Sequence, residues 1–306
     1  MPLTYDQISA ITEKKFVPKL VDNIFNRSAL LKKLKAKEKP QSGGDKVMVP
    51  LNYATTTASG WYQGSETLDT ADNDVITAFE FEWKQLYAAI SITRRDELRN
   101  SGDAAIINFV KSKVEIAEKT MGDTLGTGLF SAGTNSKSIQ GLSLAVNTTG
   151  TYGGLAHGSY SWMNGTVDSS TTTLTISAMQ SLYGDCGDGD DYPDLCVGDQ
   201  DMFDRYYALL QPQQRFQSDD ETAKGGFKHL MFNSAPFIAD NHAASGDLYM
   251  LNMEYLDLYP HKDENFRFEP FAKPINQNVK VAKLYWMGVF ASSNNRRHGI
   301  LTAITA

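Results

Sequence analysis

The sequence predicts an α+β chain in which one long helix is set among several small sheets, and three observations predict it. Phe79, Phe81 and Trp83 alternate strictly with Glu80, Glu82 and Lys84, the two-residue period of a strand with one buried face. Ile106, Val110, Val114, Ala117, Met121, Leu125 and Leu129 recur every three or four residues, which draws one apolar stripe along a helix. Short apolar runs broken by turn residues fill 227–252 and return near the C-terminus, and no segment repeats.

In chain order, residues 5–35 carry Ile8, Ile11, Phe16, Leu20, Val21, Ile24 and Phe25 at helical spacing and read as short helical pieces with extended chain. Lys39-Pro40-Gln41-Ser42-Gly43-Gly44-Asp45 is loop chemistry, and Lys46–Leu51 reads as a strand stopped by Pro50. A polar stretch around Trp61 and Tyr62 separates that strand from the alternating one, so the pair describes a long hairpin whose loop exceeds a mere connection. Leu86–Ile92 continues as an apolar strand into Thr93-Arg94-Arg95-Asp96-Glu97-Leu98.

Asp103 is suited to cap the long helix, which ends near Phe130, about 40 Å away at 1.5 Å per residue. On its polar side Glu115 and Lys119 are placed to pair, and Gly122, Gly126 and Gly128 leave room for close packing in the last turns. Residues 131–172, rich in Gly, Ser, Thr and Asn, read as loop and short β-structure. Leu174–Tyr183 reads as a helix, Asp201–Leu210 as a helix or strand, and Phe227–Asn233, Phe237–Asp240 (after a turn at Ser234-Ala235-Pro236) and Leu248–Asn252 as strands at hairpin spacing. Val279–Phe290 and His298–Ile304 have strand composition.

Composition bounds the function. With 41% hydrophobic and 21% charged residues over 306 positions, the chain can bury a core and is not a disordered or fibrous protein. It contains no run of about 18 apolar residues, and Met1–Gln7 lacks the basic and apolar regions of a leader, so a protein made in a reducing cytoplasm with no membrane partner is expected. Cys186 and Cys196, two thiols only, read as reduced and structural. The net charge of −7 is uneven. Residues 1–46 hold ten Lys/Arg against five acids, leaving nineteen against thirty-one in the remainder. Such a basic arm fits nucleic acid or a neighbouring acidic surface; the alternative is a solvated helix face. Residues 47–83 are the reverse, with Glu66, Asp69, Asp72, Asp74, Glu80 and Glu82 and neither Lys nor Arg. Oppositely charged extensions on one chain favour pairing between copies.

Catalytic and cofactor chemistry is missing from the pattern. No phosphate-binding glycine loop, nucleophile elbow or metal-spaced histidine set occurs, so neither an enzyme nor a cofactor is expected. Asp185, Asp188, Asp190, Asp191 and Asp194 are dense enough to hold Ca²⁺ but match no helix-loop-helix calcium pattern, which favours a solvated acidic loop.

The order of these segments resembles a family, the tailed-bacteriophage major capsid proteins of the Hong Kong 97-like fold. Ser91-Ile92-Thr93-Arg94-Arg95-Asp96-Glu97-Leu98 is similar to that family's junction between strand and spine helix, and Ser138-Ile139-Gln140-Gly141-Leu142 to the segment after the spine. Phe232-Asn233-Ser234-Ala235-Pro236-Phe237-Ile238-Ala239-Asp240, Leu248-Tyr249-Met250-Leu251-Asn252 and Tyr285-Trp286-Met287-Gly288 resemble its later strands. The resemblance implies an N-terminal arm (1–46), an extended loop (47–84), a peripheral domain (85–150 with 265–306) and an axial domain (151–264). It implies pentamers and hexamers of this chain closing into an icosahedral shell around double-stranded DNA, assembled in host cytoplasm and located in the virion, with a portal. Because the arm begins almost at once, a separate scaffolding protein is expected unless a propeptide is removed. Relatives that cross-link through an extended-loop lysine find no counterpart in 47–83, so non-covalent overlap is expected. Trp61, Glu66, Asp69, Asp72 and Asp74 would meet Arg94, Arg95 and Arg99 of a neighbouring copy; the alternative is that these arginines only solvate a strand end. An encapsulin-like nanocompartment is the competing reading of the same fold, and a β-rich hydrolase or adhesin domain the competing reading outside it.

Overall fold

A computed structural model describes residues 28–55, 58–69, 75–95, 103–210, 230–275 and 277–305. The helical pieces expected within 5–27 lie outside them. The described chain opens with helix α1 (Ala29–Lys35), which buries Leu30, Leu31 and Leu34. Its start is fixed twice by one side chain. Ser28 Oγ accepts from Leu31 N–H at 3.2 Å and donates to the buried carboxylate of Asp240.

Strands β1 (Lys46–Asn52) and β2 (Ile76–Glu82) form a separate two-stranded antiparallel sheet, with Val47 opposite Phe81 and Val49 opposite Phe79. Pro50 does not stop β1, contrary to the sequence reading. Tyr53 N–H points to β2, bonding Val75 C=O at 3.1 Å, so by alternation position 50 turns its nitrogen to the open edge, where a missing N–H costs no ladder bond. Phe79 and Phe81 are buried and Glu80 and Glu82 exposed, as the alternation predicts.

After Trp83 the chain continues as β3 (Lys84–Thr93), and then α2 (Asp103–Leu129) crosses it. Val110, Val114, Ala117, Met121, Leu125 and Leu129 are all buried, against Ala88, Ile90 and Ile92 of β3 and Ala282, Leu284 and Trp286 of a later strand. The polar-side pair differs from expectation, since Glu115 has Lys111 Nζ at 3.9 Å, one turn back. The late glycines do admit close neighbours. A Cβ on Gly126 would lie 2.6 Å from the His242 ring, and one on Gly128 would lie 2.9 Å from Ile139. His242 also holds Asp240 through Nδ1 at 2.9 Å, so one buried carboxylate ties α1 to the 240 loop, whose His242 ring packs on α2 at Gly126.

The stretch 131–172 is short structure, as read: α3 (Leu142–Ala145), the hairpin β4 (Thr151–Tyr152) and β5 (Leu155–Ala156), a 3₁₀ turn at Ser161–Met163, and β6 (Thr166–Asp168). It leads to α4 (Ile176–Cys186), β7 (Leu195–Gly198), α5 (Gln200–Leu210), β8 (Leu230–Phe232), β9 (Ala235–Ala239) and β10 (Leu248–Leu251). The open choice over Asp201–Leu210 resolves to a helix. The last strands are β11 (Leu256–Pro260), β12 (Arg267–Ala272), β13 (Val279–Ser292) and β14 (Gly299–Leu301).

Two larger sheets result. In the first, β13 has β3 along one edge and β12 then β11 in tandem along the other, all antiparallel. The second runs β6-β14-β10-β7-β9-β8, with α4 and α5 packed on it around Met179, Leu182, Met202 and Tyr206. Of the strands expected over 227–252, residues 227–229 lie outside the described ones. The turn falls at Asn233–Ser234 rather than 234–236, with Pro236 inside β9. Only β8 and β9 form a hairpin, because β10 lies beyond β7 and pairs with β14 on its far side. The pairing also crosses the sequence division into 151–264 and 265–306. β11 joins the sheet of β13, and β14 joins the sheet of β7 and β10.

Candidate assembly surfaces

Three regions bear on the expected contacts between copies: the hairpin, the end of β3 and the acidic loop near 185–194. The hairpin is rigid where it meets the body. Val47, Val49, Leu51, Phe79 and Phe81 pack with Tyr152, Leu144, Val289 and Ala291, and the Tyr152 ring meets Phe79 and Phe81 edge-on at 5.2 and 5.1 Å. Ser292 N–H donates to Tyr152 Oη at 2.9 Å, and Glu80 N–H donates to Gly153 C=O at 2.9 Å. Lys46 and Lys84, just outside the acidic stretch, neutralise its near end through Glu80 at 2.7 Å and Glu82 at 3.2 Å. Tyr152→Phe deletes one oxygen and leaves the buried Ser292 N–H without its partner. It is expected to cost about 1–3 kcal/mol in urea unfolding of the subunit, with the aromatic packing kept.

Beyond this base the loop shows its apolar residues to solvent. Trp61 is fully exposed at 105%, and Tyr62 and Leu68 are exposed. Glu66 accepts from Gln63 N–H at 3.3 Å, a local turn, and Glu66 and Asp69 are both on the surface. Asp72 and Asp74 lie outside the described residues.

Arg94 and Arg95 are exposed and have helical backbone directly after β3, while Arg99 lies outside the described residues. Arg94 N–H donates to Asn278 C=O at 3.2 Å, which fixes the strand end against the loop joining β12 and β13. Arg94 thereby lines a cleft of about 400 Å³ with Phe271, Lys273, Asn278, Val279 and Lys280. Burial pushes the Lys280 ammonium below its ordinary pKa. Sequence reading passed over Lys273 and Lys280, because they lie nearly two hundred residues away, one just past β12 and the other in β13. The one local signal is the apolar residue of Lys273-Pro274-Ile275, whose side chain is fully exposed at 101%.

The acidic loop has protein partners. Arg297 binds Asp188 and holds its carboxyl below the usual range. Asp191 accepts from Tyr255 Oη at 2.6 Å and from Asn252 Nδ2 at 2.5 Å, and Asp194 accepts from Met253 N–H at 2.8 Å. Two of the five carboxylates therefore anchor the loop to the turn after β10 and a third, Asp188, to the 295–297 turn, and no metal-holding group of His, Cys, Asp and Glu occurs among the described residues. Cys186 and Cys196 are free and buried, and burial pushes both thiols up to about 12, which keeps them protonated and unreactive. Part of the basic arm is likewise engaged within the chain. Lys37 Nζ bonds the carbonyls of Met253 and Glu254, and Lys39 Nζ lies 2.5 Å from Asp257. No helix among the described residues is long and apolar enough to cross a membrane.

No family model and no curated protein matches the chain. Solved structures do. The cyanophage A-1(L) capsid asymmetric unit superposes with a TM-score of 0.69 at 13% identity, over 92% of this chain and 93% of that one. The capsid of a native GTA particle gives 0.61 at 12% identity over 89% and 90%. The holo-SrpI encapsulin complex from Synechococcus elongatus gives 0.55 at 10% identity over 88% and 86%. The chain therefore has the Hong Kong 97-like fold that the order of its sequence segments resembles.

Proposed function

We propose that this chain is the major capsid protein of a tailed bacteriophage, a structural rather than catalytic protein that assembles with copies of itself into an icosahedral shell around double-stranded DNA. The observation that carries the reading is the agreement of fold over nine-tenths of the chain with capsid subunits, the cyanophage capsid foremost. The surface supports it. A well-anchored hairpin that exposes Trp61, Tyr62 and Leu68 within an acidic loop has the composition of an interface core, where a large aromatic supplies much of the binding. In this reading 1–46 is the arm, 47–84 the extended loop, and Arg94, Arg95 and Arg99 face the acidic loop of a neighbour. The two larger sheets are the cores of the peripheral and axial domains, with the boundary drawn by sheet pairing: β11 with the peripheral domain and β14 with the axial one. A separate scaffolding protein, a portal, assembly in host cytoplasm and residence in the virion complete it.

The encapsulin neighbour keeps a second reading open, a nanocompartment shell of the same fold. Electron microscopy of the purified chain after size-exclusion chromatography tests both. Closed shells, tubes or capsomer rings are expected, and nuclease-protected DNA in native particles selects the virus over the compartment. A monomer that neither crowding agents nor a scaffolding protein can assemble overturns the shell.

A further inference from the structure

We propose that the open edge of β3 pairs with β3 of a second copy, antiparallel about a two-fold axis at Ala88, so that two four-stranded sheets join into one. This deepens the shell reading by naming one edge that copies share, and rests on that reading for the second copy.

The edge is open and unguarded. Arg94 N–H bonds Asn278 C=O, so by alternation the even positions of β3 face β13, and the N–H and C=O groups of Gln85, Tyr87, Ala89 and Ser91 face away from it. Among the described residues no strand meets that side. Such an edge invites a further strand, and folds blunt it with a proline, a bulge or a charge turned to the buried face. From Gln85 to Ile92 β3 has none of these: Gln85, Tyr87, Ala89 and Ser91 lie on the exposed face, and Leu86, Ala88, Ile90 and Ile92 on the other.

The remaining edges select the occupant. β1 carries Pro50 on its open edge, and β12 carries Pro270 and a register shift between Glu269 and Ala272. β11 is already met by Lys39 and Gln41, and β2 by Gly153 at Glu80. β6 and β8, at the edges of the second larger sheet, have three residues each. Among the described edges the one long partner without a breaker is β3 itself, so the contact is self-complementary and closes as a two-fold.

Side chains choose the register. Two registers give the fullest overlap. An axis at Ala89 would set Lys84 against Arg94, like charge on like, which destabilises a cross-strand pair. An axis at Ala88 sets Lys84 against Ile92, Gln85 beside Ser91, and Tyr87, 68% exposed in the single subunit, over the small Ala89. On the other face half-buried Leu86 meets Ile90 of the second copy, which lengthens the apolar row beneath α2.

The test separates pairing from shells. Below the concentration at which shells form, the full chain is expected to sediment as a dimer in equilibrium with monomer. Ala89→Pro takes no bond from the β13 ladder but removes a donor at the middle of the contact. It is expected to raise the dimer dissociation constant at least tenfold and to keep the monomer's melting curve. Should that variant fail to fold, exposed positions read the same contact: Gln85→Lys with Ser91→Lys is expected to weaken the dimer, and Gln85→Lys with Ser91→Glu to recover it. Tyr87→Cys mixed with Ala89→Cys is expected to give several-fold more disulfide-linked dimer than either variant alone. Wild-type dimerisation by the proline and double-lysine chains, or equal cross-linking by a single variant, overturns the pairing, and the shell reading then stands if shells still form. A wild-type chain with no dimer and no mixed cross-link, free or in shells, overturns the pairing as well. A β3 dimer that neither crowding agents nor a scaffolding protein carries on to a shell supports the pairing and overturns the shell reading.

Discussion

Gly141→Ala is expected to destabilise the subunit by about 3 kcal/mol or more, enough to deplete soluble folded protein, whereas Gly184→Ala is expected to raise its melting temperature. The two sites receive the same methyl group in opposite surroundings. Gly141 caps α3 just where the chain doubles back under the end of α2. A Cβ there would lie 2.5 Å from Ser131 N, 2.6 Å from Gly128 O and 2.6 Å from Leu129 O. All three are backbone atoms, so no rotamer change relieves the clash and the helix end itself must move. Ordinary overpacking costs about 1–3 kcal/mol, and a contact against fixed backbone falls at or beyond the top of that range. Gly141 has φ −97°, so the cost is one of space and not of backbone conformation. Gly184 lies inside α4 with nothing within 4 Å of its Cβ position. Alanine there gains roughly 0.5–1 kcal/mol from helix propensity and a less flexible unfolded chain. Thermal melting of the two variants checks both signs.

Gly141 also shows what kind of information the sequence carried. Segment 138–142 has no strand or helix period, and it was legible only through the resemblance of its five residues, in their place in the order, to the stretch after a spine helix. The structure supplies the reason for the glycine, which is the approach of two backbones. Elements with a long period were legible residue by residue. All six described members of the α2 stripe are buried, and the faces of β2 separate as the alternation predicts. Short strands were legible only as strands. β7, β8, β10 and β14 have three or four residues each, too few to encode a partner, and β7, β10 and β14 bury every one of them. The order β6-β14-β10-β7-β9-β8 is set by packing with α4 and α5, and so the expected run of adjacent hairpins over 227–252 gave way to an insertion of β7 between β9 and β10.

The candidate interface divides the same way. Its acidic and aromatic side lies on one continuous stretch and could be read directly, including Trp61, Glu66 and Asp69. Arg94 and Arg95 were found because they follow a strand. Lys273 and Lys280 were not, because only folding brings them to Arg94: the antiparallel pairing of Val279 with Thr93 and of Lys280 with Ile92 places Lys280 there, and Lys273 lines the same cleft. Charge counting along the arm overstated what it has to offer a partner, since Lys37 and Lys39 are held by the chain's own 253–257 segment.

Acid is expected to loosen the subunit through one residue that no motif marked. His298, between the 295–297 turn and β14, is completely buried. Its Nδ1 accepts from Asn252 N–H at 3.2 Å and its Nε2 faces Ser292 Oγ at 3.1 Å, an arrangement that suits the neutral ring. Burial pushes its pKa from 6.5 down to about 3, with the Asp191 carboxylate opposing weakly. In the unfolded chain the same imidazole takes a proton near pH 6.5. Between those two values the unfolded state binds more protons than the folded one, so stability is full above pH 6.5 and falls as pH drops toward 3. By pH 5 the loss is about 2 kcal/mol, and it continues at about 1.4 kcal/mol per unit until the folded pKa is reached. His298→Gln keeps a polar side chain in the site without a titrating group. It is expected to lower stability at pH 7 but to flatten the acid limb, so that wild type and variant converge between pH 7 and pH 5. Urea unfolding of the soluble subunit at both values measures the difference, and carboxylates common to both proteins cancel in it. Parallel curves for the two proteins would assign the acid limb to the carboxylates instead. Because His298 joins the turn after β10 to the end of β13 through Asn252 and Ser292, its protonation strains the seam where the two larger sheets meet, and the loss should appear in hydrogen exchange at 252 and 292 before global unfolding.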